Sequence, residues 1–218
     1  MPRVALGCLL LAGVAQAGLG VRAGAAVSGL LASDEDFRPY LGYEVEMLQT
    51  VGYPQYGPQL SVTWDAGLLG FLTLRPELGF VQRGYHLNLI RPYNSSYKVR
   101  ISYLEMPVLF RVGLPRGGVR PGVYVGPFAA YRLDAAGTLV YRGEPDTRIL
   151  ETVRQFDYGL VFGIDSDIAA GIGRLVLDAR LNWGLADVMY PARGHIPVLE
   201  TPGRVQVLSL GLMTGYRF

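Results

Sequence analysis

The chain is nearly devoid of cysteine: Cys8 is the only one in 218 residues. A disulfide framework and a cysteine-based metal centre are therefore excluded. Histidine is almost as scarce, with only His86 and His195, so few groups titrate near neutral pH without help from their surroundings. Lysine is reduced to Lys98, and arginine carries nearly all the positive charge. The net charge is only +2, with no basic stripe, which argues against a nucleic-acid partner. No segment offers about 18 uncharged apolar residues in a row, so a helical membrane span is excluded too.

What is present points to strands. Half the chain is hydrophobic and 29 residues are glycine, a composition that suits strands and tight turns better than helices. The first residues form a processing segment. Arg3 supplies a positive region, Val4 to Val14 an apolar run, and Ala15-Gln16-Ala17 a small-x-small cleavage pattern. Residues 1–17 are expected to be a signal peptide and 18–218 the mature domain. Ala5-Leu-Gly-Cys8 leaves a lipoprotein reading as an alternative, with a short apolar segment before the cysteine. If Cys8 leaves with the leader, the mature chain has no thiol, which suits an oxidising compartment.

The closing residues show the dominant pattern. Leu208, Leu210, Leu212, Thr214, Tyr216 and Phe218 alternate with Ser209, Gly211, Met213, Gly215 and Arg217. A period of two is a strand with one apolar face. The same period recurs over 19–31, 57–66, 70–85, 97–113, 119–134, 155–169 and 173–187. Three connections are tight (66–70, 114–118 and 170–173) and four are long (32–56, 86–96, 135–154 and 188–203). Alternating short and long connections describe an up-and-down barrel, with turns at one end and loops at the other.

The faces decide which kind of barrel. Leu72, Leu74, Leu78 and Phe80 oppose Arg75, Glu77 and Arg83, and Leu104, Met106, Val108 and Phe110 oppose Glu105 and Arg111. Phe156, Tyr158, Leu160 and Phe162 oppose Asp157 and Asp165, while Leu175, Leu177, Leu181 and Trp183 oppose Asp178 and Arg180. A register slip of one would place these charges in lipid, and an arginine at mid-bilayer costs about 2–4 kcal/mol. Grease outside and charge inside is the membrane arrangement. The expected fold is an all-β, eight-stranded antiparallel up-and-down transmembrane β-barrel in an outer membrane. Pro76, Pro107, Pro121 and Pro127 fall within these strands, so bulges are expected near them.

The inward charges are the candidate site: Arg75, Glu77, Arg83, Glu105, Arg111, Asp157, Asp165, Asp178 and Arg180. Arg22, Asp65, Arg120, Arg132, Asp134, Asp167, Arg174 and Arg217 share their face. An eight-stranded barrel is just wide enough for side chains to fill it, and buried ions are tolerated when paired. A salt-bridged plug is one reading; a narrow polar path or binding site is the other. No carboxylate spacing matches a metal loop. His86 and His195 lie near or in long connections, outside any recognisable catalytic pattern. No enzyme activity, metal or cofactor is expected. Asp34, Glu35 and Asp36 in the long first loop are the candidate recognition residues.

Three segments also resemble the PorT-like outer-membrane β-barrel family. They are Leu72-Thr-Leu-Arg-Pro-Glu-Leu-Gly-Phe-Val-Gln-Arg-Gly84, Tyr103-Leu-Glu-Met-Pro-Val-Leu-Phe-Arg111 and Gly122-Val-Tyr-Val-Gly-Pro-Phe-Ala-Ala-Tyr131. Phe156 to Gly163 and the closing Gly215-Tyr-Arg-Phe218 are similar to it as well. The resemblance implies an eight-stranded barrel of OmpA/OmpX-like architecture in a Gram-negative outer membrane, and it implies no activity. The expected partners are outer-membrane lipid, the barrel-assembly machinery through the strand ending in Phe218, and an unnamed envelope protein, with the chain itself a monomer. A structural or loop-recognition role is expected. A small pore, or an accessory part of a transport or secretion assembly, is the alternative.

Overall fold

The computed structural model describes residues 18–31, 50–89, 95–114, 116–141, 143–150, 153–186 and 206–218. The expected leader, 1–17, lies outside them. Among the described residues nine strands are formed: β1 (Gly18–Leu31), β2 (Thr50–Leu69), β3 (Leu72–Leu89), β4 (Ser95–Gly113), β5 (Val119–Tyr141), β6 (Glu144–Ile149), β7 (Phe156–Ala170), β8 (Gly173–Gly184) and β9 (Gln206–Arg217). Each barrel strand pairs antiparallel with its neighbours, and β1 pairs with β9 to close the wall. The seam runs from Gly20 opposite Arg217 to Leu31 opposite Gln206. Eight strands therefore form a closed antiparallel barrel, and closure leaves it no open edge.

The ninth strand is a departure from the sequence reading. The connection 135–154 was expected to be a loop, but β5 runs on to Tyr141 and turns back as β6, pairing Tyr141 with Glu144 and Ala136 with Ile149. Gly143 has φ 85° in this turn, a left-handed conformation that glycine adopts without a Cβ clash. All six residues of β6 are exposed, so this hairpin stands above the wall.

Alternation sets the faces as the pattern dictates. Leu60, Val62, Trp64, Leu78, Met106, Phe110, Val123, Ile164, Leu177 and Leu212 are exposed on the outside. The outer band runs from the row of Leu60, Phe80, Leu104 and Tyr131 down to Leu69. Nine residues at about 3.3 Å each, tilted by about 40°, give about 23 Å, close to the apolar height of an outer-membrane barrel. Aromatic rings stand near its edges. Tyr131 and Phe156 meet edge to face at 5.3 Å above, and Tyr216 and Phe218 at 5.2 Å below. The tight turns and the ends of β1 and β9 share the lower end, which in such barrels is periplasmic.

Bulges occur, but not where the prolines predict them. Pairing stays in register past Pro76 opposite Val108, Pro107 opposite Phe128, and Pro121 and Pro127 opposite Ser166 and Leu160. Each proline forfeits a ladder donor without adding a residue. Register shifts instead fall between Pro54 and Gln59 and between Gly67 and Leu69 of β2, and at Ser102/Tyr103 of β4. The last shift leaves Leu133 as an extra residue of β5, because Tyr103 pairs with Arg132 and Ser102 with Asp134. Inward parity before the bulge gives way to Ala135 and Gly137 after it, so Asp134 is exposed on the outside and not in the lumen. This corrects the sequence reading of that residue.

Candidate functional site: a tiered luminal charge network

Alternation on six of the eight barrel strands aims five arginines and seven carboxylates into the barrel, and all twelve are buried. They sort into three tiers. The lowest is a closed ring. Arg75 pairs with Asp65 and, at 2.7 Å, with Asp165. Arg111 reaches Asp165 at 2.7 Å and Asp167 at 3.3 Å. Arg217 completes the circuit by bonding Asp167 and, at 2.7 Å, Asp65. Three guanidinium groups thus alternate with three carboxylates, drawn from β2, β3, β4, β7 and β9. Planar forked donors suit such bidentate bridging better than ammonium groups would.

The middle tier is a ring of four. Arg22 Nη1 lies 3.3 Å from Glu77 Oε1 and 2.7 Å from Asp178 Oδ2. Arg180 lies 2.8 Å from the other Glu77 oxygen and 2.9 Å from Asp178 Oδ1. The Tyr124 hydroxyl donates to Asp178 Oδ2 at 2.9 Å, and its ring lies against Gly163, its partner across the β5–β7 ladder. Any Cβ at Gly163 would enter that ring, so a glycine is required there.

Both rings are neutral in formal charge. The balance ends in the upper tier, where Arg83 pairs with Glu105 and faces Asp157 at 3.9 Å. One cation serves two carboxylates, and neither Asp157 oxygen has a hydrogen-bond partner among the described residues. The Arg83 guanidinium also lies 5.1 Å from the Phe128 ring centroid, within cation–π range. Above this tier the lumen becomes apolar. Tyr85, Val99, Ile101, Ala135 and Val153 are buried together. Val153 comes from the connection after β6, which is tied to the Leu133 bulge: Arg132 N donates to Gln155 O at 2.8 Å, and Leu150 N to Ala135 O at 2.9 Å.

The arrangement is a plug. Arg75 and Asp167 have no exposure and Arg83 and Arg180 only 1 %, so the inner members of the network are sealed from solvent, which touches the lower ring chiefly at the Arg217 side chain, 16 % exposed. A void between Gln59, Ser61, Glu77, Glu105 and Arg180 measures about 10 Å³, room for about one water. Among the described residues no group of three His, Cys, Asp or Glu side chains is placed to hold a metal ion.

All nine luminal residues singled out from the sequence lie within these tiers, joined by Arg22, Asp65, Asp167 and Arg217. The sequence reading missed Tyr124, Val153 and the buried Gln59 and Ser61. The i, i+2 spacings Arg75/Glu77, Asp165/Asp167 and Asp178/Arg180 place charges on one face, but connectivity across the barrel depends on register between strands distant in sequence. Asp34, Glu35 and Asp36, with His195, lie outside the described residues. His86 stands on the outer wall, its ring centroid 5.8 Å from that of Tyr53.

A closed eight-stranded barrel with an apolar outside and an ion-paired inside is an integral outer-membrane architecture. The chain belongs to the outer membrane protein beta-barrel domain family, whose model matches residues 14–190. Its place is therefore the outer membrane, with lipid around its wall. Among curated proteins, none matches in sequence. Solved structures of other membrane barrels are similar to it, among them the following three. The crystal structure of Ail, the attachment invasion locus protein of Yersinia pestis, in complex with the heparin analogue sucrose octasulfate shares 13% identity over 93% of this chain and 99% of that one, with a TM-score of 0.42. Neisserial surface protein A shares 14% over 91% and 95%, with 0.42. The outer membrane protein OprG from Pseudomonas aeruginosa shares 12% over 92% and 95%, with 0.47.

Proposed function

We propose that this barrel is a non-conducting outer-membrane scaffold that presents its external end for recognition. The observation that carries the reading is the pair of closed charge rings, each spanning several strands and, apart from Arg217 at the lower rim, buried from solvent. Opening a path would require breaking several buried ion pairs at once, each worth about 3–5 kcal/mol when one partner is removed. What remains for function is the outside: the β5–β6 hairpin, whose six β6 residues are all exposed, and the long connections, including Asp34, Glu35 and Asp36. On this reading the chain is a monomer, exported by the leader 1–17 in a Gram-negative cell and inserted by the assembly machinery through the strand ending in Phe218. No enzymatic role is part of it. The test is conductance in planar bilayers of the refolded protein: a flat trace is expected, and discrete unitary steps refute a scaffold role.

A second reading is an accessory component of an envelope transport or secretion assembly, with which the PorT-like resemblance of segments 72–84, 103–111 and 122–131 is compatible although it implies no activity of its own. Those segments supply Arg75, Glu77, Arg83, Glu105, Arg111 and Tyr124, so the shared residues belong to the plug. Crosslinked affinity capture of the mature protein from its own envelope separates the two. A stoichiometric envelope partner supports assembly membership, and its absence leaves the free-standing scaffold.

A further inference from the structure

We propose that the outer wall carries a binding site for the phosphorylated headgroup of an outer-leaflet glycolipid, built from Arg100 and Lys98 of β4 with His86 of β3. Three observations carry it. The first is direction. Val99 and Ile101 are buried in the lumen, so alternation turns Lys98 and Arg100 to the outside, where both are exposed.

The second is depth. Leu104 marks the top of the apolar band on this strand. Arg100 lies four residues and Lys98 six residues beyond it, about 10 Å and about 15 Å higher along a strand tilted by about 40°. That height is the headgroup zone of the outer leaflet, above the acyl chains and at the end where the long connections emerge. Gln82 and Ser102, hydrogen-bonded to each other at 3.3 Å, form the polar step between the band and the cations.

The third is surroundings. Lys98 stands opposite His86 on one side and Thr138 on the other, and the Tyr53 ring flanks His86. Arg100 stands between Gly84 and Ala136, and neither is large enough to cover the guanidinium. Neither cation forms an ion pair among the described residues. Asp134, the nearby acid on this face, stands opposite Ser102. The luminal arginines are consumed by carboxylates, whereas here two cations are left facing the membrane surface. A phosphate offers forked acceptors to the guanidinium and a second anchor to the ammonium. The Tyr53 ring offers a face for sugar. The periplasmic end carries cations as well, but Arg120 and Arg174 there donate to the Gly117 and Gly118 carbonyls.

The test is native mass spectrometry of the intact protein in detergent, titrated with a bisphosphorylated glycolipid A, its dephosphorylated form, and phosphatidylglycerol. Wild type is expected to retain the phosphorylated glycolipid. The double variant K98Q/R100Q should lose at least about tenfold in retention, while R116Q, which removes a cation at the other end, leaves it unchanged. Folding of each variant is checked by its gel mobility before and after heating. Equal retention by K98Q/R100Q overturns the proposal. So does equal retention of the dephosphorylated form, or of phosphatidylglycerol, since either result removes phosphate or glycolipid from the recognition.

Discussion

Replacing Arg83 by Met tests the energetics of the lumen where it is least redundant. In the lower tier Arg75 can be lost while Asp65 keeps Arg217 and Asp165 keeps Arg111. In the middle tier loss of Arg180 leaves Arg22 on both Glu77 and Asp178. Arg83 has no such substitute: Glu105 and Asp157 both pair with it and with no other described cation. Each carboxylate residue is only 3% exposed, so neither can be rescued by solvent. Arg83→Met keeps the stem that packs toward Phe128 and removes only the charge. Stranding buried carboxylates in this way costs about 3–5 kcal/mol, whereas Arg75→Met, with its partners retained, is expected to cost about 1–3 kcal/mol. Equilibrium unfolding in urea from lipid vesicles measures both. The reporters are Trp64 and Trp183, whose indoles face outward at 51% and 40% exposure and leave lipid on unfolding. Adding Glu105→Gln to Arg83→Met should recover part of the loss, with a coupling of about 1–3 kcal/mol. An Arg83→Met stability within about 0.5 kcal/mol of wild type, or above that of Arg75→Met, refutes the reasoning.

Three further outcomes follow from the wall and its packing. Leu177→Arg on the lipid face should destabilise the barrel by about 2–4 kcal/mol in the same unfolding assay. Gly163→Ala should push the Tyr124 ring off its seat and break its bond to Asp178, costing about 1–3 kcal/mol; folding in vesicles read by heat-modifiable gel mobility checks it against Tyr124→Phe, which should cost less. Deleting Leu133 removes the extra residue of the bulge and leaves both flanking segments facing as before, so the protein should still fold. Deleting Ala129 within the regular ladder reverses one half of β5 and should abolish folding.

The face assignment was legible because a membrane barrel writes it twice, as grease outside and as charge inside. Arg75, Glu77, Asp178 and Arg180 could be placed in the lumen from period two alone, since the opposite register would put them in lipid. The partners could not. Whether Arg180 meets Glu77 or Glu105 depends on stagger around the barrel, a property of the closed sheet and not of any one strand. Asp134 shows how the pattern fails: one extra residue at Leu133 shifts the faces, and a leucine carries no bulge signature. The prolines misled in the other direction. A missing N–H at Pro107 or Pro127 suggests an interruption, but loss of one donor is tolerated where the remaining ladder on both sides holds the register. The hairpin of β5 and β6 lay within a stretch whose Gly, Asp, Glu and Pro content reads as loop, because a strand pair above the membrane needs no apolar face.

The central claim is that the lumen is dry, filled and charged while the outer face meets lipid. Single cysteines placed in a Cys8→Ser background test it directly, because no other thiol competes. Leu177→Cys should react with a membrane-soluble maleimide and resist a sulfonated, water-soluble one. Ile172→Cys, in the lower turn at 99% exposure, should react with the water-soluble reagent. Val176→Cys and Ser209→Cys, each buried in the lumen, should react with neither. Rapid labelling of Val176→Cys or Ser209→Cys by the water-soluble reagent, in protein shown to be folded, would reveal a water path through the barrel and contradict the account.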